Sequence, residues 1–137
     1  MATTPNTFIA PQSIQKVTGT TFVPADTTVA KTLCTAGANG SLLTGIFGQT
    51  NDTAANNVKI LIDGVWIGTV RVAIGSGSDG AIPSTSLLNS TLMPFLIFDS
   101  NGNLCLKLGP TSVVTVAPLV AVTTAKTLSL QPTLEDY

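Results

Sequence analysis

The sequence contains no histidine. That removes the commonest general base and the commonest metal ligand at neutral pH. It also excludes every Ser-His-Asp or Cys-His arrangement for nucleophilic catalysis. Charge is scarce: six Lys and Arg stand against seven Asp and Glu, and charged residues make up 9% of the 137 positions, where about 25% is usual. The basic residues Lys16, Lys31, Lys59, Arg71, Lys107 and Lys126 are scattered singly, with no interleaved aromatics. A nucleic-acid platform needs such a cluster, so no nucleic-acid partner is expected. Paired acids are missing too: Asp26, Asp52, Asp63, Asp79 and Asp99 are each alone in polar, turn-like sequence, which leaves acid-base hydrolysis without its two carboxylates. The expectation is a protein that is not an enzyme and holds no cofactor and no metal.

Cysteine is nearly absent. Cys34 and Cys105 each sit in a strand-like run, and spacing alone cannot pair them, so two small buried thiols are expected. The longest nearly apolar run, Val113 to Val122, is too short to span a bilayer. The opening Met-Ala-Thr-Thr-Pro has neither the basic region nor the apolar core of a secretory signal. The expected place of folding is a cytosol, and no membrane partner is expected. In that setting the sequons at Asn39, Asn51 and Asn89 are ordinary loop residues.

What the chain does have is β-rich sequence punctuated by turns. The clearest stretch is Val58 to Val72, VKILIDGVWIGTVRV, two Val/Ile runs joined at Asp63-Gly64. Asp-Gly between such runs favours a type I′ hairpin, which needs positive φ at both central residues. A two-residue loop there pairs Ile62 with Val65, Ile60 with Ile67 and Val58 with Thr69. One face then carries Val58, Ile60, Ile62, Val65 and Ile67; the other carries Leu61, Trp66, Val70 and Val72. Both faces are apolar near the turn, which predicts cover on both sides.

Residues 1–25 are Thr-rich, punctuated by Pro5, Pro11 and Pro24, and hold Phe8, Ile9, Ile14, Val17, Phe22 and Val23. They read as an extended arm that gains order by lying on another surface. From residue 26 onward the pattern is strand and turn. TVAKTLCTA (28–36) and SLLTGIFGQT (41–50) read as strands, the second with Leu43 and Phe47 on one face. Gly45 and Gly48 within it signal a bulge or a close backbone approach. PSTSLLNST (83–91) predicts one or two helical turns, FLIF (95–98) a short buried strand, and residues 104–108, 113–123 and 126–131 further strands. The fold class expected is all-β: an antiparallel β-sandwich or jelly roll of about seven or eight strands, spanning residues 26–137, with one short helical turn and an extended N-terminal arm.

Two motifs resemble binding loops and fail on context. Gly75-x-Gly77-x-x-Gly80 follows a strand as a dinucleotide fingerprint does. However, Pro83 and Pro94 leave no room for a crossover helix, and the preceding strand closes an antiparallel hairpin, so a flexible inter-strand loop is expected. Asp99-x-Asn101-x-Asn103 begins like a calcium loop, but its sixth position is Leu104 and its twelfth is Pro110. A hairpin turn is expected there instead.

Three stretches carry a wider resemblance: CTAGANGSLLTGIFGQTNDTAANNVKILIDGVWIGTVRVAIGSG, SLLNSTLMPFLIFDSNGNLCLKLGP and VAVTTAKTLSL. Together they cover most of residues 33–130. They resemble the small head decoration, or cement, proteins of tailed bacteriophages. The resemblance implies a β-sandwich homo-oligomer, a dimer or trimer. It implies many copies bound to the major capsid protein on the exterior of a virion made in the bacterial cytoplasm, with no catalytic activity. On that reading Phe8, Ile9, Ile14 and Phe22 are candidates for capsid attachment, and Val65, Trp66 and Ile67 for self-association. Two other expectations stay open: a structural connector of the neck, tail or fibre, and a glycan- or host-binding module displayed on the virion.

Overall fold

The computed structural model describes residues 19–91, 93–98 and 102–137. Among them are ten strands: β1 (Thr20–Phe22), β2 (Lys31–Thr35), β3 (Ser41–Thr50), β4 (Asn56–Ile62), β5 (Val65–Val72), β6 (Thr85–Ser86), β7 (Ile97–Phe98), β8 (Leu104–Leu108), β9 (Val113–Pro118) and β10 (Leu128–Asp136). Their pairings are antiparallel, and the main ones are nested: β1 with β10, β2 with β9, β3 with β8, and β4 with β5. Successive pairs alternate between two sheets. This gives the orders β1-β10-β3-β8 and β2-β9-β4-β5, with β7 added beside β8 and β6 beside β3. Nested pairs folded over in this way make a jelly roll, one of the two architectures expected.

The core lies between the sheets. Leu43, Ile46, Leu128, Leu130 and Leu134 enter from one side; Val58, Ile60, Val70, Val72, Val114 and Val116 enter from the other. Each such side chain, fully buried, contributes about 1.5–3 kcal/mol. The sheets approach closely at Gly48, where an added Cβ would lie 2.8 Å from a Val72 methyl. That is the close approach expected of this glycine.

Three bulges decide which side chains face inward. Leu33, Thr44 and Ile67 are extra residues in β2, β3 and β5 respectively, each without a direct partner opposite. The Asp63-Gly64 turn forms as expected, with φ of 50° and 82°, and Ile62 pairs with Val65. Past Ile67, however, Ile60 pairs with Gly68 and Val58 with Val70, one residue out of the expected register. A one-residue shift turns every later side chain to the other face. Val70 and Val72 therefore join Val58 and Ile60 in the core. The outer face keeps Leu61 opposite Trp66 beside the turn and beyond it carries Lys59, Thr69 and Arg71, so the hairpin is apolar on both sides only next to the turn. The same effect at Thr44 buries Ile46 with Leu43 and turns Phe47 outward, opposite to the expected placing of Leu43 and Phe47 on one face.

Other boundaries differ as well. Residues 83–91 form no helix; the only helical turn among the described residues is the 3-10 turn Pro24–Asp26. The Thr85 hydroxyl bonds to Ser76 and to the Ala73 amide, and the Leu87 amide bonds to the Ile46 carbonyl. These tie the segment in extended form to the loop after β5 and to β3, while its Ser, Thr and Asn side chains compete with helical bonding. The FLIF segment is largely exposed, with only Leu96 buried. Its β7 residues lie at the sheet's outer edge, next to β8 alone. The turn expected to follow it falls partly on Asp99 and Asn101, which lie outside the described residues. Residues 20–22 are part of the sandwich, so the domain begins before residue 26. β10 runs on through Pro132 to Asp136. It tolerates that proline where β1 no longer pairs with it, since β1 covers residues 128–130 only.

Candidate functional site at the hairpin tip

The β4–β5 hairpin is braced from below. The Asp63 amide donates to the Val113 carbonyl at 2.9 Å, and the Val113 amide donates to Asp63 Oδ1 at 2.9 Å. This pins the turn to the start of β9. On the far side of the turn Val65 is 64% exposed and Trp66 58% exposed. Trp66 is held in place: its Nε1 donates to the Gly68 carbonyl and to Thr69 Oγ1, both at 3.1 Å. The Lys59 ammonium sits 5.3 Å from the ring centroid, a cation–π contact worth about 0.5–1 kcal/mol at an exposed site. The indole N–H is thus satisfied within the chain, and the ring can be covered by a partner without stranding a buried donor. Ile67, the bulge residue, is half-buried against the core. β5 is the outer strand of its sheet and, at eight residues, the longest edge strand described.

The expected site residues therefore divide. Val65 and Trp66 are both exposed at the hairpin tip, but as neighbours in β5, opposite Ile62 and Leu61 respectively, they point to its two different faces; Ile67 is packed against the core. Phe8, Ile9 and Ile14 lie outside the described residues. Phe22 does not fit attachment: it is fully buried in the core, with its strand paired to β10 and the Lys31 ammonium 5.0 Å from its ring. A side chain with no accessible surface cannot reach a second protein.

The acidic residues act on the chain's own backbone. Asp52 is buried where the β3–β4 and β9–β10 connections meet. Its Oδ2 accepts from the Thr123 amide (3.0 Å) and from Asn56 Nδ2 (3.2 Å), and its Oδ1 accepts from the Ala54 amide (3.1 Å). Burial alone would raise its pKa; the bonds from Thr123, Ala54 and Asn56 outweigh that and hold the carboxyl far below the usual carboxylate range. Asp79 accepts from the Ala81 and Ile82 amides at 2.9 Å, inside the Gly75–Gly80 loop. All three glycines there have positive φ, and the Gly77 amide bonds to the Ile82 carbonyl. The loop is a bonded set of turns followed by a strand, with no helix to receive a phosphate. Among the described residues no group of three His, Cys, Asp or Glu side chains is placed to hold a metal ion. No helix there is long and apolar enough to cross a membrane. Cys34 and Cys105 are both buried and no disulfide joins them; burial pushes the Cys34 thiol up to about 11.

No family model, curated protein or solved structure matches the chain.

One surface is hidden from the sequence. A cleft of about 640 Å³ opens on the outer face of the β1-β10-β3-β8 sheet, with Phe47, Phe98, Thr44, Thr133, Ser86 and Asn103 among its lining residues. Phe47 and Phe98 are distant in sequence; alternation puts Phe47 on the face of Leu43, and FLIF reads as a buried strand. Gly45, next to the bulge, is the one sequence signal that points to an outward Phe47.

Proposed function

We propose that the chain is a virion structural protein that decorates and cements a bacteriophage capsid, bridging neighbouring major capsid subunits and stabilising the shell without catalysis. The observation that carries the reading is the braced, exposed Val65–Trp66 tip beside a long free-standing edge strand on a rigid jelly roll. Support also comes from the low charge of the chain, which suits packing against neighbours better than free dispersion. Jelly rolls occur among viral capsid domains, although that is an analogy of fold. The resemblance of residues 33–130 to head decoration proteins points the same way.

In this proposal copies associate through the hairpin tip that carries Val65 and Trp66 into a dimer or trimer. The oligomer straddles boundaries between shell subunits, and residues preceding β1 supply attachment. Each contact is modest, and several made at once raise the effective affinity. Trp66 has the properties of an interface anchor: a large ring, fixed in orientation, with its polar atom already bonded. Trp66→Ala should leave the fold intact and weaken self-association by about 30-fold, the effect of losing roughly 2 kcal/mol at such an anchor. Light scattering across a concentration series, followed by co-sedimentation with undecorated shells, reads both steps. An unchanged oligomer in the variant removes the tip from the mechanism.

A further inference from the structure

The cleft on the outer sheet has a structural cause. β8 pairs with β3 at residues 41–43, and β6 pairs with β3 at residues 47 and 48. Between them Thr44 bulges, and β8 turns aside to pair with β7. The sheet parts at that point, and the opening is the cleft. Its volume, about 640 Å³, falls within the roughly 300–1,000 Å³ of small-ligand sites.

The lining selects a ligand class. Among the described residues, not one of its side chains is charged. A phosphate, carboxylate or sulfate ligand would be desolvated there without a counter-charge, which is costly. Two aromatic rings are offered instead. Phe98 is 66% exposed and Phe47 38% exposed. The Phe47 ring is laid down on the strand: a Cβ on Gly45 would lie 2.8 Å from Phe47 Cε2 and 3.0 Å from Cζ. With no side chain at Gly45, the ring rests on the backbone. Beside the rings are neutral hydroxyls. Thr44 Oγ1 donates to the Thr133 carbonyl at 3.1 Å and shares a bond with Thr133 Oγ1 at 2.7 Å, so both hydroxyl protons are engaged while each oxygen keeps at least one lone pair to accept a further bond. Ser86 stands directly opposite Phe47 across the β3–β6 pair, and Asn103 is also in the lining.

Flat apolar platforms beside uncharged donors and acceptors complement a molecule with C–H faces and hydroxyl edges and no charge. We infer that this cleft binds a neutral oligosaccharide, with sugar C–H faces stacked on Phe47 and Phe98 and hydroxyls bonded to Thr44, Thr133 and Ser86. The inference is independent of capsid decoration and stands or falls separately from it. For an open cleft with two stacking rings the expected dissociation constant is about 1 mM.

The test is amide NMR of the full chain, titrated with maltohexaose, cellohexaose and chitohexaose, and with a heparin hexasaccharide as the charged comparison. Saturable shifts at Thr44, Phe47, Ser86, Asn103 and Thr133 with at least one neutral probe support the inference. Phe98→Ala, at a largely exposed position, should preserve the fold and weaken that binding about tenfold. Phe47→Ala should weaken it similarly, and its spectrum checks that the uncovered Gly45 strand stays folded. Absence of shifts with all three neutral probes up to about 20 mM overturns it. So does binding indifferent to Phe98→Ala, or equal binding of the charged comparison. Shifts in the cleft caused only by an apolar peptide, with none from the sugars, would reassign it to a protein partner and also overturn the inference.

Discussion

Replacing Asp52 with Ala probes the joint between the β3–β4 and β9–β10 connections. The change removes three hydrogen bonds to a carboxylate, those from the Thr123 and Ala54 amides and from Asn56 Nδ2. It also leaves those donors facing a small cavity of about 100 Å³ lined by Ala54, Asn56, Val120 and Thr123. Each stranded buried donor costs about 1–3 kcal/mol. The cavity is roomy enough to admit water, which recovers part of that, so the net loss should be about 2–4 kcal/mol. With an unfolding entropy of about 2.1 cal/mol/K per residue, the melting temperature should fall by about 7–14 °C. Asp52→Asn keeps the shape but sets an amide donor against backbone donors, and should lie between Asp52→Ala and the parent. The pH dependence comes from the same bonds. The folded carboxyl titrates below its unfolded value, so its contribution is fully present above about pH 5 and is lost as pH falls through the acid range toward the folded pKa. The parent should therefore lose stability on acidification more steeply than either variant, and the curves should converge. Thermal unfolding followed by circular dichroism at several pH values between about 3 and 7 reads both effects. A drop smaller than about 2 °C for Asp52→Ala, or a gap that persists unchanged at acid pH, would mean that the carboxylate does not hold these two connections together.

Gly48→Ala should destabilise by about 1–3 kcal/mol through overpacking, because the new methyl meets a Val72 methyl and Leu87 across the two sheets; urea unfolding measures it, and a neutral result would mean that the sheets separate easily. The native protein should resist a thiol reagent at pH 8 and react at both cysteines once denatured, since Cys34 and Cys105 are buried and the Cys34 thiol stays protonated; fast reaction of the folded chain would show that the interior opens.

The amount of this fold that is readable from sequence depends on locality. The Asp63-Gly64 turn, the limits of β3 and β8, and the two-sheet β class arise from short-range chemistry, and the structure agrees with them. The bulges at Thr44 and Ile67 do not announce themselves in an alternating pattern. Each depends on which strand lies opposite, a non-local fact, and each reverses the faces of the residues beyond it in the strand. Strict alternation therefore places Val70, Val72 and Phe47 on the wrong sides. Phe22 reads as part of an arm because three residues of strand carry little periodicity, and its burial depends on β10 more than a hundred positions away. The exposure of Val65 and Trp66 comes from the turn and is partly legible; the bonds that fix the indole are not. The cleft is invisible in the sequence, because it exists only where β8 leaves β3.

Coating of a shell by many copies of this chain is open to a direct count. Quantitative mass spectrometry of purified tailed-phage particles gives the chain's copy number relative to the major capsid protein. Capsid decoration predicts a copy number of the same order as that of the shell protein. A handful of copies per particle, or none, would contradict it and move the chain to the neck or tail, or out of the virion altogether.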